Sequence, residues 1–151
     1  MVEIWDLTTT QSLQTFEVLS HADPHSLDWH PNGKWLAIGG KNVGAGGSYN
    51  CPGVWDVESM ERLITFAPQY AEGEGHGNTG DVRLAWSYDG SKLSCFRDVR
   101  DTVDIRDATS TQFPLLGQIK ANSKMNQAPI WSPVSNQLLT KQYSNEKGKS
   151  G

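Results

Sequence analysis

Apolar and polar residues alternate with a period of two along short stretches of this chain, and turn residues interrupt the alternation at regular intervals. Val2-Glu3-Ile4-Trp5-Asp6, Gly53-Val54-Trp55-Asp56-Val57 and Val103-Asp104-Ile105-Arg106-Asp107 read as one kind of half-buried strand, met three times. The pattern predicts strands at 25–31, 34–40, 52–57 and 62–67, then at 82–87, 92–97, 102–107 and 113–119. Pro31-Asn32-Gly33 and Tyr88-Asp89-Gly90 carry the chemistry of tight turns between the first two strands of each set. No stretch has helical periodicity, and the expected fold class is all-β.

The acidic residues that close the three similar strands stand at 6, 56 and 107, a repeat of 50 and then 51 residues. A second motif alternates with the first: Leu27-Asp28-Trp29-His30-Pro31-Asn32-Gly33-Lys34, then Leu84-Ala85-Trp86-Ser87-Tyr88-Asp89-Gly90-Ser91-Lys92, then a fainter Pro129-Ile130-Trp131-Ser132-Pro133-Val134-Ser135-Asn136. Two unlike elements in fixed order mark a repeat architecture. Four antiparallel strands with large apolar residues on both faces cannot form a core alone. Each sheet must be covered by the next, which favours radial stacking into a propeller.

At this level the chain resembles the WD-repeat β-propeller family over nearly its whole length. Trp5-Asp6 and Trp55-Asp56 match the dipeptide that names the family, Gly75-His76 stands where its Gly-His stands ahead of Trp86, and the Trp29–Lys34 and Trp86–Lys92 turns match its first hairpin. There are departures: Ser20-His21 replaces Gly-His in the first full repeat, nothing similar precedes Trp131, and Arg106 replaces the tryptophan in the third copy. The resemblance implies a buried hydrogen-bonded set of histidine, strand hydroxyl, turn aspartate and tryptophan. His21 and Trp55 are present, but Ile38-Gly39-Gly40 stands where the hydroxyl is wanted; His76 has Asp98 or Asp101 within reach but no tryptophan. Irregular blades are therefore expected, held by sheet stacking more than by that network. The residues expected in structural roles are Trp5, Asp6, His21, Trp29, Trp55, Asp56, His76, Trp86, Asp107 and Trp131.

The strands divide the chain into a propeller segment over 1–143 and a flexible polar tail over 144–151. Within the segment, a half blade (1–19), two blades (20–68 and 69–120) and a second half blade (121–143) follow in order. That is fewer than the roughly four to eight blades that close a ring. The chain is thus expected to be part of a longer propeller or to close its open faces by self-association, since the two half blades have complementary strands. The repeat also exceeds the ~40–45 residues usual for the family. The excess lies in Lys41–Cys51, Pro68–Gly80 and Lys120–Gln127, all at one end of the blades, with the short turns 31–34, 57–61, 88–91 and 107–112 at the other. Long loops gathered on one rim of a stiff scaffold are where binding usually resides. Lys41, Asn42, Tyr49, Tyr70, Arg97 and Arg100 are the expected partner contacts there. The run Arg97-Asp98-Val99-Arg100-Asp101 alternates in sign and has a plainer reading as a solvated loop with weak ion pairs.

Hydrophobic residues make up 36% of the 151 residues and the formal net charge is −4, which gives no reason to expect nucleic acid or an anionic membrane as partner. The charge is uneven: residues 1–107 carry 16 acids against 8 bases, while 108–151 carry 1 acid against 5 lysines. Cys51 and Cys95 form no spaced pair and suggest no disulfide framework. No apolar run approaches the roughly 18–20 residues of a membrane span, and Met1 is followed directly by a strand-like segment. A cytoplasmic or otherwise intracellular setting is the expectation.

Other motifs point to no chemistry. Gly75-His76-Gly77-Asn78-Thr79-Gly80 spells a dinucleotide fingerprint, but a phosphate cradle needs a helix to follow, and Asp81–Ala85 continues as a strand. Gly44-Ala45-Gly46-Gly47 reads as loop, and Gly148-Lys149-Ser150 as tail. His21 and His25, with His30 and Cys51 as further ligands, would make a zinc site only if their spacing fell on one helical face, which a strand denies. No nucleophile elbow and no segregated acidic pair is present. No cofactor, metal or catalytic residue is expected. The resemblance implies a non-catalytic scaffold for protein partners. Two alternatives stand beside it: the propeller portion of a larger enzyme, such as a propeller-gated hydrolase, with catalysis elsewhere, or a truncated remnant without independent activity.

Overall fold

Residues 1–16, 22–42, 52–66, 81–97, 102–120 and 128–140 are described by the structure, a computed structural model of the chain. They contain twelve strands and no helix: β1 (Val2–Asp6), β2 (Gln11–Phe16), β3 (Ala22–Trp29), β4 (Trp35–Asn42), β5 (Gly53–Asp56), β6 (Arg62–Thr65), β7 (Val82–Trp86), β8 (Lys92–Arg97), β9 (Thr102–Asp107), β10 (Leu115–Lys120), β11 (Ile130–Trp131) and β12 (Leu138–Leu139). β1 and β2 form a two-stranded sheet, as do β11 and β12. Strands β3 to β10 form one eight-stranded sheet in the order β10-β9-β8-β7-β4-β5-β6, with β3 beside β4. The chain is all-β, its antiparallel sheet curled as in a segment of a propeller.

Most strand positions agree with the alternation read from the chain, and the two clear differences have physical causes. β3 begins at Ala22, because its pairing with β4 continues to Ala22↔Asn42 past an irregularity between Pro24 and Ser26. Pro24 has no N–H to give the ladder, and a bulge is where such a residue is tolerated. β10 begins only at Leu115. Phe113 before it adopts a positive φ of 48°, buries its ring, and leaves Pro114 to accept the Asp107 N–H at 2.9 Å.

The short turns repeat. His30 N donates to the Trp35 carbonyl at 2.9 Å, Ser87 N to Lys92 at 2.9 Å and Ser132 N to Gln137 at 2.8 Å. Gly33 and Gly90 sit at φ of 70° and 72°, the left-handed region that a side chain would strain. The turns that follow the other motif are capped by its aspartates. Asp6 accepts from Thr8 N at 2.8 Å, Asp56 from Glu58 N and Ser59 N at 3.0 Å each, and Asp107 from Thr109 N at 2.9 Å. A bulge recurs as well, with register shifts at Ile4/Trp5, at Val54/Trp55 and opposite Ile105/Arg106.

The core lies between successive sheets. Val2 of β1 packs on Leu36, Ile38 and Trp55, with Ile4 and Val57 at the margin. On the other face of the same strands, Ala37 and Val54 join Phe66, Val82, Leu84, Trp86, Leu93, Cys95, Ala108 and Phe113. The far face of β8 and β9 presents Phe96 and Val103 to Leu138 of β12. Alternate side chains of one strand thus serve two different cores, the arrangement expected of stacked modules.

Polar groups stitch the same seams. Ser26 Oγ accepts the Leu84 N–H at 3.1 Å and Asp28 Oδ2 accepts the Trp86 N–H at 2.6 Å, satisfying edge donors of β7 that no strand pairs. The Trp86 indole returns a bond to the Asp28 carbonyl at 3.1 Å. His30 Nε2 lies 3.0 Å from the Gly90 carbonyl while its Nδ1 accepts from Asn32 N at 3.0 Å, which places the ring proton on Nε2. The His30 ring meets Trp86 edge-on, with centroids 4.6 Å apart.

Two separate four-stranded sheets are expected from the sequence; instead the sheets share a bridge at Gly40↔Val82. The glycines in place of a strand hydroxyl explain it. A methyl group on Gly39 would collide with the Ser26 hydroxyl and the Val82 carbonyl. Bare backbone at this point lets β7 reach β4 where β5 has ended opposite Ile38.

Candidate partner-binding interface

The strand registers define two unlike ends. Ala22↔Asn42, Gly53↔Thr65, Val82↔Arg97, Arg97↔Thr102 and Thr102↔Lys120 bring the flanks of every long link to one end of the sheet. The hydrogen-bonded turns at 30–35, 56–61, 87–92 and 107–114 occupy the other. Of the expected partner contacts, Lys41 and Asn42 are the last residues of β4 at the link end. Tyr49, Tyr70 and Arg100 lie outside the described residues, as do His21, His76, Asp98, Asp101 and Cys51.

Arg97 requires a correction. It closes β8 rather than standing in a solvated loop, and it is only 6% exposed. Its side chain faces Asp104, Nε to Oδ2 3.6 Å, and Arg106 approaches the same oxygen at 3.6 Å. Gln118 Nε2 donates to the other Asp104 oxygen at 2.7 Å. Arg106 also donates to the Phe113 carbonyl at 3.0 Å and covers the Phe66 ring at 5.1 Å. Arg97, Asp104 and Arg106 share the face of β8 and β9 that turns toward Phe66, so the charges are enclosed between sheets, not offered at the rim.

A second polar group stands at the link end. Asp81, buried just before β7, lies 3.0 Å from His25 Nδ1 and accepts from Arg83 Nε at 2.8 Å. Arg83 and Asp81 are two residues apart and so share one side of an extended backbone. That spacing was legible in the sequence; the approach of His25 from β3 was not. His25 and His30 take separate roles, one on Asp81 and one on Gly90. Among the described residues no three His, Cys, Asp or Glu side chains are grouped as a metal site, and no helix is long and apolar enough to cross a membrane.

The expected structural residues divide. Trp55 and Trp86 are buried, and Trp131 is half-buried with its indole donating to the Ala85 carbonyl at 3.0 Å and to Ser94 Oγ at 3.1 Å. Asp6, Asp56 and Asp107 cap turns. Trp5 and Trp29 are exposed, contrary to the structural role expected for them, because among the described residues no further sheet lies against either ring. Cys95 is buried in the middle seam, and burial first, then the nearby Asp104 charge, pushes its thiol up to about 11.

No protein-family model matches the chain, and no curated protein matches it. Among solved structures, a chain of the crystal structure of a mitotic checkpoint complex is similar at 20% identity with a TM-score of 0.45. The similarity covers 93% of this chain and 50% of that one, so this chain spans half the length of its structural neighbour.

Proposed function

We propose that the chain is a WD-repeat-like propeller segment that serves as a non-catalytic platform for protein partners, bound at the link end of its sheets. One observation carries this reading: the two ends of the sheet differ in kind. At one end the turns 30–35, 56–61, 87–92 and 107–114 are short and tied by backbone hydrogen bonds, with side-chain caps from Asn32, Asp56, Asp89 and Asp107. At the other, all the long connections converge on rigid strand ends, which is how scaffolds present variable recognition surface. The Asp81–Arg83–His25 group adds charge at that end, and Lys41 and Asn42 lie on the strand that leads into it.

The test compares the two ends. Tyr49 and Tyr70 are both replaced by Ser, and Tyr88, exposed at the turn end, is replaced by Ser as the control. Partner capture from extract is quantified by mass spectrometry beside thermal melts. Loss of capture by roughly tenfold or more in the double variant alone supports the link end, since aromatic hot spots are worth about 2 kcal/mol or more. Equal capture by wild type and a folded double variant removes the proposal.

A further inference from the structure

Trp29, Trp86 and Trp131 are copies of one position, each pairing across its hairpin with a leucine: Leu36, Leu93 and Leu138. The Trp86 indole donates to Asp28, and the Trp131 indole donates to Ala85. Asp28 and Ala85 each stand just before the repeat's tryptophan, so each blade is clasped to the same carbonyl of the blade before it. Trp29 has the donor for a further clasp, and Ile130, just before Trp131, has the acceptor. Neither is used within the chain's own stack of seams.

Burial tells the same story at matched positions. Leu84 and Trp86 are 1% and 4% exposed, whereas their copies Leu27 and Trp29 are 54% and 44% exposed. The residue types are the same, and what differs is a preceding inner strand. Ile130 and its cross-strand partner Leu139 are exposed on the opposite flank of the stack. One flank therefore shows leucine, tryptophan and an indole N–H; the other shows two aliphatic side chains and a carbonyl.

The two hairpins are also complementary halves. β1 shares its bulge and its aspartate cap with β5 and β9, the third strands of the complete blades. β12 shares its place with β4 and β8, the second strands. In the complete blades these neighbours pair as Leu36↔Trp55 with Ala37↔Val54, and Leu93↔Arg106 with Ser94↔Ile105. Carried over to the half blades, the same register pairs Leu138 with Trp5 and Leu139 with Ile4.

We propose that the exposed flanks form a docking surface for a second copy of this chain. β12 of one copy pairs with β1 of the other to complete a four-stranded blade, and Trp29 of the second copy clasps the Ile130 carbonyl of the first. The contact is continuous with the seam that Val2, Leu36, Ile38 and Trp55 already form. A twofold axis repeats it, so each copy lends two strands to each of two shared blades. This surface is separate from the link end, and pairing and partner capture fail independently.

Sedimentation of the full chain gives its mass, and cross-linking gives the register. The variant Ile4→Cys/Leu139→Cys, with Cys51→Ser, is oxidised beside a shifted control, Ile4→Cys/Leu138→Cys. Expected are a particle of twice the chain mass, a disulfide-linked dimer from the first pair and little from the control. Trp29→Phe keeps the ring but loses the indole donor, and should weaken pairing roughly fivefold to tenfold, with far-ultraviolet circular dichroism confirming an unchanged sheet. A monomer at roughly 100 μM, where a standard interface is saturated, overturns the proposal. So do an open ladder of larger species, equal cross-linking by the control, or unchanged pairing by Trp29→Phe.

Discussion

Arg106 stands where Trp55 stands one blade earlier, and the seam has adjusted to it. Its stem and guanidinium cover Phe66, while Asp104, itself held by the Gln118 amide, and the Phe113 carbonyl supply the polar partners that an enclosed arginine demands. Asp104→Asn leaves two arginines without their shared carboxylate and should cost about 3–5 kcal/mol in urea unfolding, the usual loss when one member of a buried ion set is removed. Gly39→Ala drives a methyl group into Ser26 and the Val82 carbonyl; overpacking of this kind costs about 1–3 kcal/mol, read as a lower unfolding midpoint. The turn aspartates set the acid behaviour. The Thr8 N–H holds Asp6 below its ordinary value, the Ser59 N–H does so for Asp56, and the Thr109 hydroxyl for Asp107. The Ser87 hydroxyl and Ser91 take Asp89 down to about 2. A carboxyl depressed by folding stabilises fully above its unfolded value of 3.8 and loses that contribution as pH falls through its folded value. Stability should therefore decline from pH 3.8 toward about 2, and Asp89→Asn should flatten the decline in urea titrations across that window. Asp28 acts in the opposite sense: burial raises it, so its contribution weakens as pH rises past 3.8.

The strands draw their stability from neighbours one repeat away. Trp55 lies between β1 and its own sheet, and Trp55→Ala should cost about 3–5 kcal/mol as the seam loses its largest ring. Trp86→Phe keeps most of the packing and loses one donor to Asp28, so a cost of about 1 kcal/mol is expected in the same unfolding assay. Much of this scale could be read from the chain. Period-two alternation and the Asn-Gly and Asp-Gly turns place β4, β7, β8 and β9 within two residues at either end. What escaped the reading depends on partners far along the sequence. Arg97 looks like part of an exposed charge run until Asp104, seven residues on, meets it across a hairpin. Gly39 and Gly40 look like a missing hydroxyl until β7 is seen to need bare backbone. Ser26 and Asp28 give no local sign that they cap the edge of a strand 58 residues away.

Across the whole molecule the three seams make a linear stack, in which each sheet depends on the sheets beside it. Hydrogen exchange should report this directly. Amides of β4, β5, β7, β8 and β9, which border the large middle seam, should be the slowest, and those of β1–β2 and β11–β12 the fastest. Uniform protection across all twelve strands would contradict a stack of nearest-neighbour cores. Cys95 gives that arrangement a chemical clock. Its sulfur is sealed in the middle seam and its proton is held tightly, so a maleimide or a disulfide reagent can capture it only while the sheets stand apart. In a chain carrying Cys51→Ser, the labelling rate would count each parting of the two complete blades, and a ligand that grips both of them would slow the count.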